Sequence, residues 1–182
     1  LQGIAIDNQC NVYVSDRGNH RIQVFDPRGK FLRKWGIRGN ENGEFSQPQG
    51  LSIDGDGNVY VSEYGNDRIQ VFDPQGRFLR TWGSEGSQDG EFRAPQGLAI
   101  DGEGNVYVSD HWNDRIQVFD RQGGFLRKWG LRGGGDGELS QPQGLAIGGD
   151  GNVYVSEYGN DRVQVFDPQG RFLRKWGVRG SG

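Results

Sequence analysis

The sequence predicts an all-β fold: a β-propeller of four-stranded antiparallel blades, with four blades in the chain. Three observations carry this. The motif Gln-Gly-Leu/Ile-x-Ile begins at Gln2, Gln49, Gln96 and Gln143, a period of 47 residues without insertion. The second and fourth units agree at 31 of 37 positions over 50–86 and 144–180. Within each unit, apolar runs of strand length alternate with Gly-, Asp-, Asn- and Pro-rich turns, and no segment keeps helical periodicity. Repetition at this spacing, with four short strands per repeat, is the signature of propeller blades.

The second unit shows each element in order. Gly50–Ile53 is a short apolar strand, closed by the turn Asp54-Gly55-Asp56-Gly57-Asn58. Val59–Ser62 is the second strand, and Glu63–Asp67 a polar turn. Arg68–Phe72 is the third, Asp73-Pro74-Gln75-Gly76 a reverse turn, and Phe78–Trp82 the fourth. The blades fall at approximately 1–48, 49–95, 96–142 and 143–182, read as one propeller domain or propeller segment. In the fourth strand Arg and Lys sit among the apolar residues, as in Phe31-Leu32-Arg33-Lys34-Trp35, and are expected to protect a free edge from pairing with another chain.

Composition narrows the class. Hydrophobic residues are only 32%, but 33 glycines dilute that figure and 21 aromatics supply buried area, which excludes a disordered chain. A net charge of −3 gives no bulk attraction to nucleic acid or anionic lipid. One cysteine, Cys10, excludes an intrachain disulfide framework and a cysteine-rich zinc site. No apolar run reaches membrane length, and no signal peptide is expected in this stretch. Methionine is absent even at position 1, so the chain reads as processed, excised or incompletely defined at its start, and no compartment follows.

The stretch Tyr13-Val14-Ser15-Asp16-Arg17-Gly18-Asn19-His20-Arg21-Ile22-Gln23-Val24-Phe25 resembles the core of an NHL repeat, with Ile22 in place of the Leu and one residue late. Asp67, Asp114 and Asp161 replace the His in the later units, while Ile4-Ala5-Ile6-Asp7 and Trp35-Gly36 also fit. The resemblance covers the whole chain. It implies a platform for proteins or RNA, usually six-bladed, with sensor domains and lyases among the relatives. Four units are fewer than six, so three arrangements stay open: part of a longer array, association of copies, or a four-fold ring. Near-identical units fit recent amplification or design.

Each unit carries an acid, an Asn and an Arg at fixed spacing: Asp16/Asn19/Arg21, Glu63/Asn66/Arg68, Asp110/Asn113/Arg115 and Glu157/Asn160/Arg162. A carboxylate ending one strand is expected to take a bidentate bond from the Arg that starts the next, a structural network repeated in every blade. Asp54-Gly55-Asp56-Gly57-Asn58 looks like part of a calcium loop but lacks the downstream bidentate Glu, so a hairpin and no metal is expected. The glycines of Arg132–Gly137 lack the Lys-Ser/Thr and the helix of a phosphate loop. His20 and His111 occupy different positions in their units and form no three-His set. The expectation is no enzyme, no catalytic residue and no cofactor, with a metal-dependent lyase as a minor alternative.

The turn between the second and third strands and the link to the next blade are expected on one face. There Arg17, Tyr64, His111 and Tyr158 share one position, and Gly18, Gly65, Trp112 and Gly159 the next. Arg38 and Arg132 lie in the links. Tyr, Trp and Arg dominate binding hot spots, so Arg17, Tyr64, His111, Trp112, Tyr158, Arg38 and Arg132 are the candidate partner-binding residues. The links also carry Glu41, Glu44, Glu85, Asp89, Glu91, Asp136 and Glu138 against Arg38, Arg93, Arg132 and Arg179. A mixed, slightly acidic face favours a protein or small polar ligand over a phosphate backbone. RNA stacked on Tyr64, Trp112 and Tyr158 is the alternative. Self-association or a longer blade array is expected, and no membrane.

Overall fold

The computed structural model describes residues 1–177, which include sixteen strands and two single-turn 3-10 segments. The first blade is β1 (Ile4–Ile6), β2 (Val12–Asp16), β3 (Arg21–Phe25) and β4 (Phe31–Trp35), and the second β5 (Pro48–Ile53), β6 (Val59–Glu63), β7 (Arg68–Phe72) and β8 (Phe78–Trp82). The third is β9 (Pro95–Ile100), β10 (Val106–Asp110), β11 (Arg115–Phe119) and β12 (Phe125–Trp129), and the fourth β13 (Pro142–Ile147), β14 (Val153–Glu157), β15 (Arg162–Phe166) and β16 (Phe172–Trp176). Each blade is an antiparallel sheet with its strands in chain order. None of the described helices is long and apolar enough to cross a membrane.

The turns explain the meander. The Asp54 side chain accepts from the backbone N–H of Asp56 and Asn58 at 3.0 and 2.8 Å, and Gly57 supplies the positive φ of +84° that ends the turn. Asp73 does the same for Gln75 and Arg77 at 2.9 Å. The inner strand of the second blade begins at Pro48 rather than Gly50. Pro48 pairs with Glu63 across an irregularity before Leu51, which joins the link to the sheet.

The chain divides into two compact units, Leu1–Pro95 and Gln96–Gly182. In the first, Tyr13, Ile22 and Val24 of the first blade pack against Leu51, Val59, Val61 and Phe72 of the second, with Phe45 from the link between them. In the second, Tyr107, Ile116 and Val118 meet Val153, Val155 and Phe166 around Leu139. Burying each such side chain contributes about 1.5–3 kcal/mol. The Trp35 ring is tilted on Phe72 at 5.8 Å, and Trp129 stands the same way on Phe166 at 5.7 Å.

The outer-strand arginines of the first three blades are half-buried rather than solvated. Arg33, Arg80 and Arg127 fold back over Tyr13, Tyr60 and Tyr107, each with its guanidinium 5.6 Å from the ring centre and donating to the hydroxyl at 2.8–2.9 Å. Arg33 also donates to the Pro74 carbonyl of the neighbouring blade, as Arg127 does to Pro168. In these strands the edge charge is left to exposed Lys34 and Lys128. The alternation of the pleat accounts for the difference: Arg and Lys are adjacent and point to opposite faces.

Candidate partner-binding face

The acid, Asn and Arg of each blade do come together, and a fourth residue joins them. Glu63 Oε1 accepts from Arg68 Nε at 2.6 Å and Gln70 Nε2 at 2.8 Å, while Oε2 accepts from Asn66 Nδ2 at 2.7 Å and the Ser46 backbone N–H at 2.8 Å. Glu157 repeats this with Arg162, Gln164, Asn160 and Ser140. At Glu63 and Glu157 the bidentate bond expected of the arginine does not form. Only Nε meets the carboxylate; Arg68 Nη1 and Nη2 donate instead to the carbonyls of Asn40, Glu41 and Glu44, and Arg162 to those of Gly134, Gly135 and Glu138. The arginine therefore ties the incoming link to the turn. Glu63 and Glu157 are buried, as required of a carboxylate whose lone pairs are all used.

Asp16 and Asp110 hold the same place in the first and third blades, accepting from Arg21 at 2.8 Å and Arg115 at 2.7 Å and from Asn19 and Asn113. Burial pushes the Asp16 carboxyl up, but the hydrogen bonds from Asn19 and Arg21 outweigh it and hold the group below the ordinary Asp range. The choice of Asp or Glu goes with the turn. Beside the aspartates the chain makes 3-10 turns, Arg17–Asn19 and His111–Asn113. Beside the glutamates the turn bonds the link, with Tyr64 N–H to Gln47 O and Gly65 N–H to Ser46 O, and likewise Tyr158 to Gln141 and Gly159 to Ser140.

The residue after each turn explains the exchange of His for Asp. His20, Asp67, Asp114 and Asp161 all have φ near +50°. The first three also accept a link N–H: Gln47 to His20 Nδ1 at 3.2 Å, Ala94 to Asp67 at 2.6 Å and Gln141 to Asp114 at 2.8 Å. Left-handed tolerance and an acceptor are what the site needs, and His and Asp supply both.

The candidate contact residues differ in how far they are exposed. In the first unit, Arg17 donates to Gln47 Oε1 at 2.6 Å and lies 5.1 Å over the Tyr64 ring, so both are half-buried, while Arg38 of the link is exposed. In the second unit His111 turns inward, 5% exposed, with Nδ1 3.2 Å from the Pro142 carbonyl. That oxygen only accepts, so Nδ1 carries the proton. Burial holds the His111 pKa below its usual value, against the pull of Pro142, Asp114 and Asp110. With His111 withdrawn, no arginine stands where Arg17 covers Tyr64, and Tyr158 is 68% exposed. Trp112 packs edge-on against His111 at 4.7 Å and is 47% exposed. The Arg132 side chain is exposed, with its Nε 4.0 Å from Asp114. Arg179 lies outside the described residues. Nothing at the level of single repeats distinguishes the two Tyr positions; the signal was the residue 47 earlier, Arg17 against His111.

Four antiparallel four-stranded sheets, each with its strands in chain order, define a β-propeller protein. The NHL repeat pattern matches residues 1–25, 45–72, 92–119 and 139–166, more than half of the chain, and the chain belongs to the NHL repeat family. Among curated proteins, Protein brain tumor of Drosophila melanogaster is 37% identical over 46 residues, 25% of this chain and 4% of that protein. Among solved structures, a streptogramin B lyase is superimposable with a TM-score of 0.76 at 16% identity, over 99% of this chain and 55% of that one. The virginiamycin B lyase of Staphylococcus aureus gives 0.75 at 17%, over 99% and 56%, and the hydrazine synthase of Kuenenia stuttgartiensis 0.72 at 20%, over 97% and 49%. The chain thus spans about half of these structures and a small part of the curated relative. At such identities the structural likeness is one of fold alone.

Proposed function

We propose that this chain is a non-catalytic binding scaffold and that a protein segment or small polar ligand docks on the turn-and-link face of its second unit. The observation that supports this is that Trp112 and Tyr158 are the large aromatics exposed on the second-to-third-strand turns of that unit. Aromatic anchors held on a rigid frame bind with little loss of side-chain freedom. The groups an acid–base mechanism would draw on have scaffold work instead: Asp16, Glu63, Asp110 and Glu157 are each committed to an arginine, and His111 to a backbone carbonyl. The lyases named above contribute only their fold to the comparison.

RNA is the second reading, favoured by one feature: exposed Arg132 in the same unit as Trp112 and Tyr158 allows stacking with a phosphate contact. A fluorescent oligouridylate titrated at low salt separates the two. Weak or no binding is expected; submicromolar affinity with a steep salt slope moves the assignment to RNA. Repurified protein showing metal-dependent lyase turnover overturns the scaffold itself. Selection of displayed random peptides against the chain tests it positively.

A further inference from the structure

We infer that the partner of the second unit is a protein segment presenting an arginine, whose guanidinium lies on the Tyr158 ring and donates to Gln141 Oε1. This rests on the turn-and-link face of that unit being the binding surface. The first unit makes the same contact with a residue of its own. There the Arg17 guanidinium stands 5.1 Å over the Tyr64 ring, and its Nε and Nη2 donate to Gln47 Oε1 at 3.2 and 2.6 Å. The backbone holds the ring and the amide together: Tyr64 N–H donates to the Gln47 carbonyl at 3.2 Å, and Gly65 N–H to the Ser46 carbonyl at 3.1 Å. The second unit repeats that frame. Tyr158 N–H meets the Gln141 carbonyl at 3.1 Å and Gly159 N–H the Ser140 carbonyl at 3.1 Å. Gln47 and Gln141 also share a left-handed backbone, φ 53° and 50°. Platform and acceptor are both kept.

What changes is the residue that fills the frame. His111 has the place of Arg17 in the same 3-10 turn, and it points inward to the Pro142 carbonyl. Among the described residues no guanidinium stands over Tyr158, and the Gln141 side chain makes no hydrogen bond. A half-buried amide oxygen beside an exposed ring suits a planar, charged donor. Guanidinium can lie flat on the ring and turn two N–H groups to one oxygen, as Arg17 does; a lysine ammonium is a point charge and cannot. The charge nearby also favours a cation. Gln141 N–H donates to Asp114 Oδ1 at 2.8 Å, where the first unit uses His20 Nδ1, so a carboxylate adjoins the second frame and not the first. Exposed Arg132, its Nε 4.0 Å from the other Asp114 oxygen, offsets part of that charge. Trp112 adds an indole against His111, where the first blade has Gly18, and offers apolar surface to an arginine stem.

Acetyl-Gly-Arg-Gly-amide titrated into the isotope-labelled chain, followed by NMR of the Tyr158 backbone and Gln141 side-chain amides, tests this. Saturable shifts are expected at both, with acetyl-Gly-Lys-Gly-amide at least about fivefold weaker. His111→Arg installs the residue that the first blade carries in this turn; it should fill the frame and weaken the arginine peptide at least about tenfold. Gln141→Ala, which copies Ala94 of the preceding link and its φ of 55°, should weaken it at least about threefold. The spectra themselves verify folding; if His111→Arg unfolds, Tyr158→Ala takes its place with the same expected loss. No saturable shift, equal affinity for the two peptides, or full affinity in the folded variant overturns the inference. Displayed peptides that bind through Trp112 without needing an arginine also overturn it, yet leave the binding face standing. A selection that enriches nothing removes both.

Discussion

The indole of Trp35 lies over Gly76 so closely that a methyl group there would stand 2.7 Å from its ring. Gly76 also has φ +85°, so two separate requirements meet at one residue. Gly29 shares the left-handed φ, +81°, but not the crowding. Gly29→Ala is therefore expected to cost only the backbone penalty, about 1–2 kcal/mol. Gly76→Ala adds overpacking and should cost a further ~1–3 kcal/mol. Chemical denaturation of the two variants measures the difference, and equal losses would contradict the packing assigned to Trp35.

The arginine that ties each link to its turn should be irreplaceable by lysine. Arg162 makes four hydrogen bonds, to Glu157 and to the carbonyls of Gly134, Gly135 and Glu138. Lysine keeps the charge but cannot span this fork. Arg162→Lys is expected to lose about 2–3 kcal/mol, and Arg162→Ala, which strands a buried carboxylate, about 3–5 kcal/mol. Urea denaturation with unchanged m-value checks both.

The repeat and its strand types were legible because they rest on local signals: period, alternation and turn residues. Strands Arg68–Phe72 and Phe78–Trp82 coincide with the sequence-based assignment. What stayed hidden depends on side-chain contacts that the local pattern does not reveal, from 7 to 28 residues apart in the chain. Arg68 reaches Asn40, and Gln70 enters the network although it reads as an ordinary strand residue. The alternation of Asp and Glu was visible in sequence, but not that the longer side chain reaches Ser46 and Ser140. His111 and Trp112 looked like one exposed pair; the 3-10 turn sends one inward and leaves the other out.

His111 makes stability pH-dependent. Burial lowers its folded pKa below the ordinary 6.5, so the unfolded chain takes up the proton first. The stabilisation from keeping His111 neutral is present above that value and is lost as pH falls through it toward the folded pKa. Between pH ~8 and ~5.5 the wild type should lose stability that His111→Gln retains. Thermal unfolding at a series of pH values checks this, and parallel curves for the two proteins would contradict it.

Trp112→Gly is expected to leave the fold intact. It reproduces the Gly18 turn of the first blade, which is the same 3-10 turn with open space around the glycine. The turns at Gly65 and Gly159 are of another kind, closed against Ser46 and Ser140, and are no guide here. Stability should change by no more than about 1 kcal/mol. Unfolding of the third blade would mean that Trp112 is packing.

Binding decides the central claim. Peptides selected against the chain from a displayed random library should be titrated against the wild type, Trp112→Gly and Tyr158→Ala, all three verified as folded. The account predicts convergent peptides whose affinity falls by about 2 kcal/mol, some thirtyfold, in at least the Trp112 variant. Repeated selections that enrich nothing, or peptides that bind all three proteins equally, would contradict a binding face on the turns of the second unit.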